Sequence, residues 1–194
     1  MKARATCVLI LALALMLQCG PARAGQAQDQ LKSGVDAVLN VLSNTKPGDP
    51  GRLDKLHAAV EKVFDPEELA RRTLASHWET FNPEERKRFT AAFLKLLERT
   101  YLRRIEAYTD EKVVFLNEAE LGEGRSEVST KVVTANREVP IVYRMIRKSD
   151  WKVYDVVIEG VSLVQNYRKQ FNEILARETP AQLIARVESM GSAG

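Results

Sequence analysis

The sequence is poor in residues that bind metals or act as nucleophiles. Its 194 residues include two cysteines and two histidines, and both cysteines, Cys7 and Cys19, fall within the first 24 positions. The rest of the chain therefore has no disulfide, no thiolate metal site and no cysteine nucleophile. His57 and His77 are twenty residues apart, which does not match the spacing of a zinc site. We expect neither a metal nor an organic cofactor, and we interpret each histidine as a partly buried polar residue on a helix.

An excess of positive charge is also absent once the first 24 residues are set aside. The chain has 29 Lys and Arg against 26 Asp and Glu, a net charge of +3. Lys2, Arg4 and Arg23 lie in residues 1–24, which contain no acidic residue. The remainder is formally neutral and lacks the excess of basic residues that supports binding to nucleic acid. We therefore exclude nucleic acid as a partner.

The first 24 residues have the pattern of a secretory signal peptide. Lys2 and Arg4 precede eleven uninterrupted apolar residues at 7–17. A helix of that length rises about 16 Å, too little for the ~30 Å core of a bilayer. The small residues of Ala22-Arg23-Ala24 predict cleavage after Ala24 and export of the rest of the chain. A lipid anchor at Cys19 is the alternative, although Gln18 is a poor residue to precede a lipidated cysteine.

Hydrophobic periodicity divides residues 25–194 into helices, then strands, then helices again, and predicts a single α+β domain. Asp65-Pro-Glu-Glu68 and Asn82-Pro-Glu-Glu85 have the pattern of helix starts, with a side-chain cap and a proline at the first helical position. The predicted helices cover residues 27–44, 52–64, a segment after Asp65, 82–108, a segment after Gly160 and a segment after Thr179, with a frayed tail at 191–194. The predicted strands cover residues 112–117, 126–134, 138–147 and 151–158, joined as an antiparallel meander.

The turn between the last two strands decides which side chains share a face of the sheet. A two-residue turn at Ser149-Asp150 pairs Lys148 with Trp151 and Arg144 with Asp155. Asp155 is an acid within an apolar strand, and we interpret it as the ion-pair partner of Arg144 across the hairpin. This register places on the opposite face Val139, Ile141, Tyr143, Met145, Tyr154, Val156 and Ile158. A one-residue change in the turn would exchange the two faces.

The polar residues do not form a recognisable catalytic group. Ser162 lies in Glu159-Gly-Val-Ser-Leu163, which lacks the second glycine of a nucleophile elbow. The arginine pairs Arg71-Arg72 and Arg103-Arg104 lie among glutamates on predicted helices. They form either a solvated surface or a surface that contacts head groups or a partner protein.

A series of short motifs lies between residues 151 and 171: Trp151-Lys-Val-Tyr-Asp155, Glu159-Gly-Val-Ser-Leu163, Asn166-Tyr-Arg168 and Phe171. This series resembles the MlaC family of periplasmic phospholipid-binding proteins, also labelled toluene-tolerance or auxiliary transport proteins. The helix residues Phe81-Asn-Pro-Glu-Glu-Arg86 and the strand Val139-Pro-Ile-Val-Tyr-Arg144 extend it upstream. It covers about residues 30–185, nearly all of the chain after the leader.

The resemblance implies a fold, a ligand and partners. The fold is a four-stranded twisted antiparallel sheet with helices packed around it, similar to NTF2-like proteins, and it contains a deep apolar pocket for acyl tails. The implied role is a non-enzymatic, monomeric shuttle that maintains outer-membrane lipid asymmetry. It would carry phospholipid between an inner-membrane ABC transporter with a substrate-binding ring and an outer-membrane lipoprotein–porin complex.

We expect the pocket to lie between one face of the sheet and the helices, on the face that Arg144 and Asp155 do not occupy. The expected lining is Phe93, Leu97, Tyr101, Ile141, Tyr143, Met145, Tyr154, Val156, Val164, Tyr167 and Phe171. Candidates for docking or head-group contact are Arg71, Arg72, Arg103 and Arg104. Three alternatives stay open: a carrier of a hopanoid-like lipid, an NTF2-like enzyme with Asp155 or His77 as base, and a structural protein with a filled core.

Overall fold

The structure is a computed structural model that describes residues 25–106 and 112–192, without the side chains of Arg103, Arg104 and Glu106. The helices are α1 (Gln26–Asn44), α2 (Arg52–Glu61), α3 (Pro66–Leu74), a 3-10 helix (Ala75–Thr80), α4 (Pro83–Glu106), α5 (Leu163–Leu175) and α6 (Pro180–Ser192). The strands are β1 (Lys112–Gly122), β2 (Arg125–Val133), β3 (Glu138–Arg147), β4 (Trp151–Ile158) and β5 (Val161–Ser162). Within these described ranges, no helix is both long and apolar enough to cross a membrane.

Both predicted helix starts are confirmed. The Asp65 carboxylate accepts the N–H of Glu68 at 3.0 Å, and Asn82 accepts the N–H of Glu85 at 2.9 Å. The Glu85 carboxylate in turn accepts the N–H of Asn82 at 3.0 Å, which completes a capping box. The prediction of a helix to residue 64 is wrong, because α2 ends at Glu61 and Phe64 forms a parallel bridge with β4.

The sequence also predicted where the last helix and the long helix end. Gly191 was expected in a frayed tail but lies within α6, where it is buried close to the backbone of Leu96. The close approach suits a residue without a side chain. The predicted extension of the long helix to Tyr108 falls outside the described residues, where α4 is described as far as Glu106.

The sheet is an antiparallel meander of five strands in the order β1-β2-β3-β4-β5. Four strands were expected, and the additional one is the two-residue β5, which pairs with β4. The turn between β4 and β5 places Glu159 and Gly160 at φ of 49° and 82°. This conformation folds the chain back within two residues and leads directly into α5.

The hairpin between β3 and β4 confirms one predicted pair and contradicts the other. Arg144 lies opposite Asp155 as predicted, but Trp151 lies opposite Arg147 instead of Lys148. The turn is therefore one residue longer than predicted, and a β-bulge between Arg144 and Met145 restores the register. Tyr154 is the additional residue of the bulge.

Because of the bulge, the β4 residues near the turn lie on the opposite faces from those predicted. Val153 lies opposite Met145 and is buried with it, and Trp151 packs beside them. Tyr154 was expected on this face, but its ring lies under the guanidinium of Arg72, 4.0 Å from the ring centroid. The prediction was wrong because it assumed continuous alternation through a strand that contains an extra residue.

The buried apolar residues form two separate clusters. The first, called here the helical cluster, comes from the helices that follow α2: Leu69, Ala70, Leu74, Trp78, Phe81, Phe89, Ala92, Phe93, Leu96, Val164, Tyr167, Phe171, Leu183, Ile184 and Val187. The second, called here the sheet cluster, comes from α1 and the inner face of the sheet: Ala27, Leu31, Val128, Met145, Val153 and Val156. Phe64, in the connection between α2 and α3, packs against both.

The carboxylate of Asp155 joins the sheet to α5. Its Oδ2 accepts the Ser162 hydroxyl at 2.6 Å and the Arg144 guanidinium at 3.1 Å, and its Oδ1 accepts the N–H of Val164 at 3.0 Å. Ser162 also caps α5 by accepting the N–H of Gln165. The predicted ion pair between Arg144 and Asp155 is confirmed, and the same acid fixes the start of the helix.

We expect Asp155→Ala to lower the free energy of unfolding by about 3–5 kcal/mol, because it leaves a partly buried arginine and two buried donors without their acceptor. Asp155 is 2% exposed. The matched control is Glu127→Gln, which removes the other, solvent-accessible partner of Arg144 and should cost about 1 kcal/mol or less. Urea unfolding followed by circular dichroism measures both. Equal effects of the two substitutions would contradict this account of Asp155.

Candidate functional site

Six of the predicted lining residues lie on helices, and most of them are filled core. Phe93, Val164, Tyr167 and Phe171 are buried in the helical cluster, and Leu97 packs against its edge. The ring centroid of Phe93 lies 5.1 Å from that of Tyr167 and 5.6 Å from that of Phe171. Aromatic rings at these distances fill one another's contact surfaces. The sixth, Tyr101, is partly buried further along α4.

Four other predicted lining residues lie together on the inner face of the sheet. Met145 and Val156 are buried in the sheet cluster, whereas Ile141 and Tyr143 are partly exposed against it. The register places Tyr143 opposite Val156, so the shared face follows directly from the pairing of the strands. Tyr154, the last predicted lining residue, is separated from this group by the bulge.

The two clusters differ in how completely they are closed. Among the described residues, the helical cluster has fifteen buried members and four partly buried side chains packed against it. The sheet cluster has six buried members and nine partly buried ones: Val35, Val63, Phe64, Phe115, Ile141, Tyr143, Trp151, Ile158 and Leu163. Apolar side chains that remain partly hydrated on an inner face indicate a surface that the protein does not itself cover. The open sheet cluster is therefore the candidate site.

Several of these lining residues were not in the predicted set. Phe115 and Ile158 lie on the same face as Ile141, because Ile158 pairs with Ile141 and Phe115 pairs with Thr130, which in turn pairs with Ile141. Alternation along the strands contains the information needed to find them. Val35 belongs to the apolar stripe of α1, and the sequence alone does not show that α1 covers the sheet.

A carboxylate on β1 fixes the start of α1 on the sheet. Glu118 accepts the N–H of Gln28 at 2.8 Å and the hydroxyl of Ser126 at 3.1 Å. The contact satisfies a free N–H in the first turn of α1 and places a negative charge at the positive end of the helix dipole. Ala27 and Leu31 then lie fully buried on the sheet cluster. This end of the cluster is closed.

A polar cleft of about 370 Å³ lies beside the sheet cluster, between the first turns of α1 and the β3–β4 turn. Its lining includes Asp29, Arg147, Asp150 and Trp151. The charged lining does not suit an acyl chain, because an acyl chain gains free energy only by leaving water for apolar surroundings. The cleft is therefore not a candidate for lipid tails.

The side chains of His57 on α2 and Glu98 on α4 are in contact. His57 Nε2 lies 2.7 Å from Glu98 Oε1, and His57 Nδ1 lies 3.9 Å from Glu61. Burial raises the pKa of Glu98, and Glu61 raises it further, whereas His57 and Lys95 act in the opposite direction. The charged carboxylate is thus held in surroundings that favour its neutral form.

Two of the arginines predicted for docking or head-group contact, Arg71 and Arg72, bind an acid within the protein. Glu68 is buried and accepts hydrogen bonds from both Arg71 and Arg72. Arg72 also stacks on Tyr154, which leaves Arg71, half-exposed, as the one of these two that faces solvent. The side chains of Arg103 and Arg104 lie outside the described residues.

The two proposed catalytic bases do not face the open sheet cluster together. Asp155 alternates with Val156 along β4 and points to the other face of the sheet, where both of its oxygens accept hydrogen bonds. His77 lies on the 3-10 helix, distant in sequence from any strand. The geometry gives Asp155 a structural role that accounts for an acid in an apolar strand.

The fold and this lining define an α+β protein that leaves apolar surface open between its sheet and its helices. Residues 32–189 match the family model described as MlaC protein. The chain belongs to the MlaC family, as its resemblance to that family predicted.

Two known proteins are similar to this chain over most of its length. The intermembrane phospholipid transport system binding protein MlaC of Haemophilus influenzae is 29% identical over 174 residues, which are 86% of this chain and 79% of that protein. A phospholipid-binding protein from Ralstonia solanacearum, solved in complex with a phospholipid, superposes with a TM-score of 0.76 at 26% identity. The superposition covers 87% of this chain and 98% of that one.

The difference between the clusters predicts different costs of truncation. Phe171→Ala should lower the free energy of unfolding of lipid-free protein by about 3–5 kcal/mol, because it creates a cavity in closed packing. Ile141→Ala should cost only about 1–2 kcal/mol, since the lost side chain was already partly hydrated. Urea unfolding curves after removal of bound lipid measure both. An Ile141→Ala loss as large as that of Phe171→Ala would show that the sheet cluster is filled core.

Proposed function

We propose that this protein is a non-enzymatic phospholipid carrier that holds acyl tails against the open sheet cluster. The observation that carries the proposal is the ring of partly buried apolar side chains around Met145 and Val156. Its support from relatives is that one is named for intermembrane phospholipid transport and another was solved with a phospholipid bound.

The energetics of lipid transfer explain why such a protein is needed. Each methylene that leaves water contributes about 0.8 kcal/mol, so a sixteen-carbon tail costs about 12 kcal/mol to expose. A two-tailed lipid costs about twice that, which makes free diffusion between membranes negligible. An apolar protein surface that replaces the bilayer interior removes most of this barrier. Such a surface needs no catalytic group.

The proposed lining keeps Ile141, Tyr143, Met145 and Val156 from the sequence prediction and adds Phe115 and Ile158. The predicted residues that lie on helices are not part of the proposed lining: Phe93, Leu97, Tyr101, Val164, Tyr167 and Phe171. Tyr154 is left out of the proposed lining because its ring contacts Arg72. Tails that lie along the sheet leave the head group at the rim.

The proposed place of action is the periplasm. Residues 1–24 act as the signal peptide, and cleavage after Ala24 leaves a chain whose first helix begins at Gln26. The proposed partners are an inner-membrane ABC transporter with a substrate-binding ring and an outer-membrane lipoprotein–porin complex. In this role the protein carries phospholipid between them as a monomer and maintains the asymmetry of the outer membrane.

Native mass spectrometry of the purified protein tests the proposal. We expect a mass increase that extraction identifies as a two-tailed phospholipid. Ile141→Asn should lose most of this lipid because it places an amide in the lining. Val142→Asn, its neighbour on the opposite face of β3, should retain it. Urea unfolding of both variants confirms that each is folded.

Three results would contradict the proposal. Protein that carries no lipid and takes none from phospholipid vesicles would refute the carrier function. A bound polycyclic lipid without acyl chains would replace phospholipid by a hopanoid-like ligand. Equal lipid content in the Ile141 and Val142 variants would refute the proposed lining.

A further inference from the structure

The polar cleft at the start of α1 takes no part in the proposed lining for acyl tails, yet it adjoins that lining. Its volume of about 370 Å³ falls within the range of about 300–1,000 Å³ that is usual for ligand sites. Trp151 lines the cleft and also packs against the sheet cluster. The cleft and the open apolar surface therefore meet at this side chain.

Three charged side chains line the cleft without neutralising one another. Arg147 ends β3, Asp150 lies in the turn that follows, and Asp29 lies in the first turn of α1. All three are exposed, and none of them has an ion-pair partner among the residues that the structure describes. The cleft therefore offers one positive and two negative groups to a ligand.

The inner face of β3 leads from the open lining to the cleft. Four side chains alternate along that face: Ile141, Tyr143, Met145 and Arg147. The alternation is unbroken because the pairing of β3 with β2 contains no bulge. With a rise of about 3.4 Å per residue, Arg147 is about 20 Å from Ile141 and about 14 Å from Tyr143. One acyl tail spans half of a bilayer core, or about 15 Å. A head group at Arg147 thus places the tail ends between Tyr143 and Ile141.

The two sides of the sheet cluster differ next to the cleft. On β1, Glu118 holds the start of α1 against the sheet. On β4, Trp151 stays partly exposed, and its indole N–H is buried without a hydrogen-bond acceptor among the described residues. Buried donors are nearly always paired. An unpaired donor on a side chain that contacts both the cleft and the sheet cluster suits a site that a ligand completes.

We propose that the cleft is the head-group site of the carried phospholipid, and that it selects a zwitterionic head group with a primary ammonium, as in phosphatidylethanolamine. This inference rests on the carrier function proposed above, and it concerns which lipid is preferred, not whether lipid is held. The apolar tails supply most of the affinity, and the cleft supplies the preference.

The charges of the cleft match those of this head group. A guanidinium binds two phosphate oxygens at once, so Arg147 is placed to bind the phosphate. Asp29 and Asp150 attract the ammonium group, which phosphatidylglycerol lacks. Because the cleft has two negative groups and one positive group, it disfavours a lipid of net negative charge relative to a zwitterionic one.

Competition between two lipids tests this preference. The purified protein takes up lipid from vesicles that contain equal amounts of phosphatidylethanolamine and phosphatidylglycerol with identical acyl chains. Mass spectrometry of the lipid extracted from the protein gives their ratio. We expect phosphatidylethanolamine to be enriched about three-fold or more in the wild-type protein. Asp29→Asn combined with Asp150→Asn should bring the ratio close to one, because only the phosphate-binding Arg147 remains.

The matched control combines Asp36→Asn with Asp54→Asn, which removes the same charge from exposed positions on α1 and α2 outside the cleft. It should keep the wild-type ratio. A wild-type ratio close to one, an unchanged ratio in the cleft variant, or an equal loss in the cleft and control variants overturns the inference and leaves the carrier function intact. A wild-type protein that takes up no lipid refutes the carrier function, and the head-group site with it.

The fluorescence of Trp151 gives a second readout, the orientation of the bound lipid. In a Trp78→Phe variant, shown by native mass spectrometry to hold lipid, Trp151 is the only tryptophan of the chain. A spin label close to the glycerol should quench its fluorescence more strongly than a label at the end of an acyl chain, because the tail ends lie about 15 Å away. Equal or stronger quenching by the chain-end label overturns the proposed head-group site.

Discussion

The buried carboxylate of Asp155 is the interaction on which the arrangement of sheet and helices depends. It binds Arg144 on β3, the Ser162 hydroxyl at the end of β5 and the N–H of Val164 at the start of α5. A buried charge is tolerated because three donors compensate for its lost hydration. Since α5 supplies Val164, Tyr167 and Phe171 to the helical cluster, the same acid aligns that cluster with the sheet. The opposite face of the sheet carries the apolar side chains of the sheet cluster.

The separation of the core into two clusters has a functional consequence. A protein stabilised by one closed cluster can leave a second apolar surface incompletely covered without unfolding, because burial in the first supplies much of the stability. The aromatic rings of the helical cluster fill one another, whereas the inner face of the sheet keeps partly hydrated side chains such as Ile141 and Ile158. A ligand that covers these side chains adds stability in proportion to its occupancy. A core with one closed and one incompletely covered cluster suits a carrier that must be stable both with and without lipid.

The elements that depend on local chemistry were predictable from the sequence. The helix starts at Asp65 and Asn82 follow from capping chemistry. The strands β3 and β4 follow from the alternation of apolar residues. The pair of Arg144 with Asp155 follows because opposite charges face each other across a hairpin. The family resemblance placed the fold correctly, apart from the two-residue β5. Each of these features is specified by residues within one or two elements.

The features that depend on tertiary packing were not predictable. The bulge at Tyr154 exchanges the faces of the residues nearest the turn, and alternation cannot show where an extra residue is inserted. The apolar stripe of α4 has the same period whether Phe93 packs against other helices or lines a ligand site. The choice depends on which helices meet, and α5 and α6 return from the end of the chain to fill that side. Phe93 and Phe171 were therefore expected in the lining but lie in closed core.

A phospholipid with a photoreactive group near the end of one acyl chain tests the location of the site most directly. After uptake and illumination, peptide mass spectrometry identifies the residues that the chain contacts. The account predicts attachment on the inner face of the sheet, at or beside Phe115, Ile141 and Ile158. Attachment confined to Phe89 and Phe171 in the helical cluster, or to the polar cleft at Asp29 and Asp150, would contradict it.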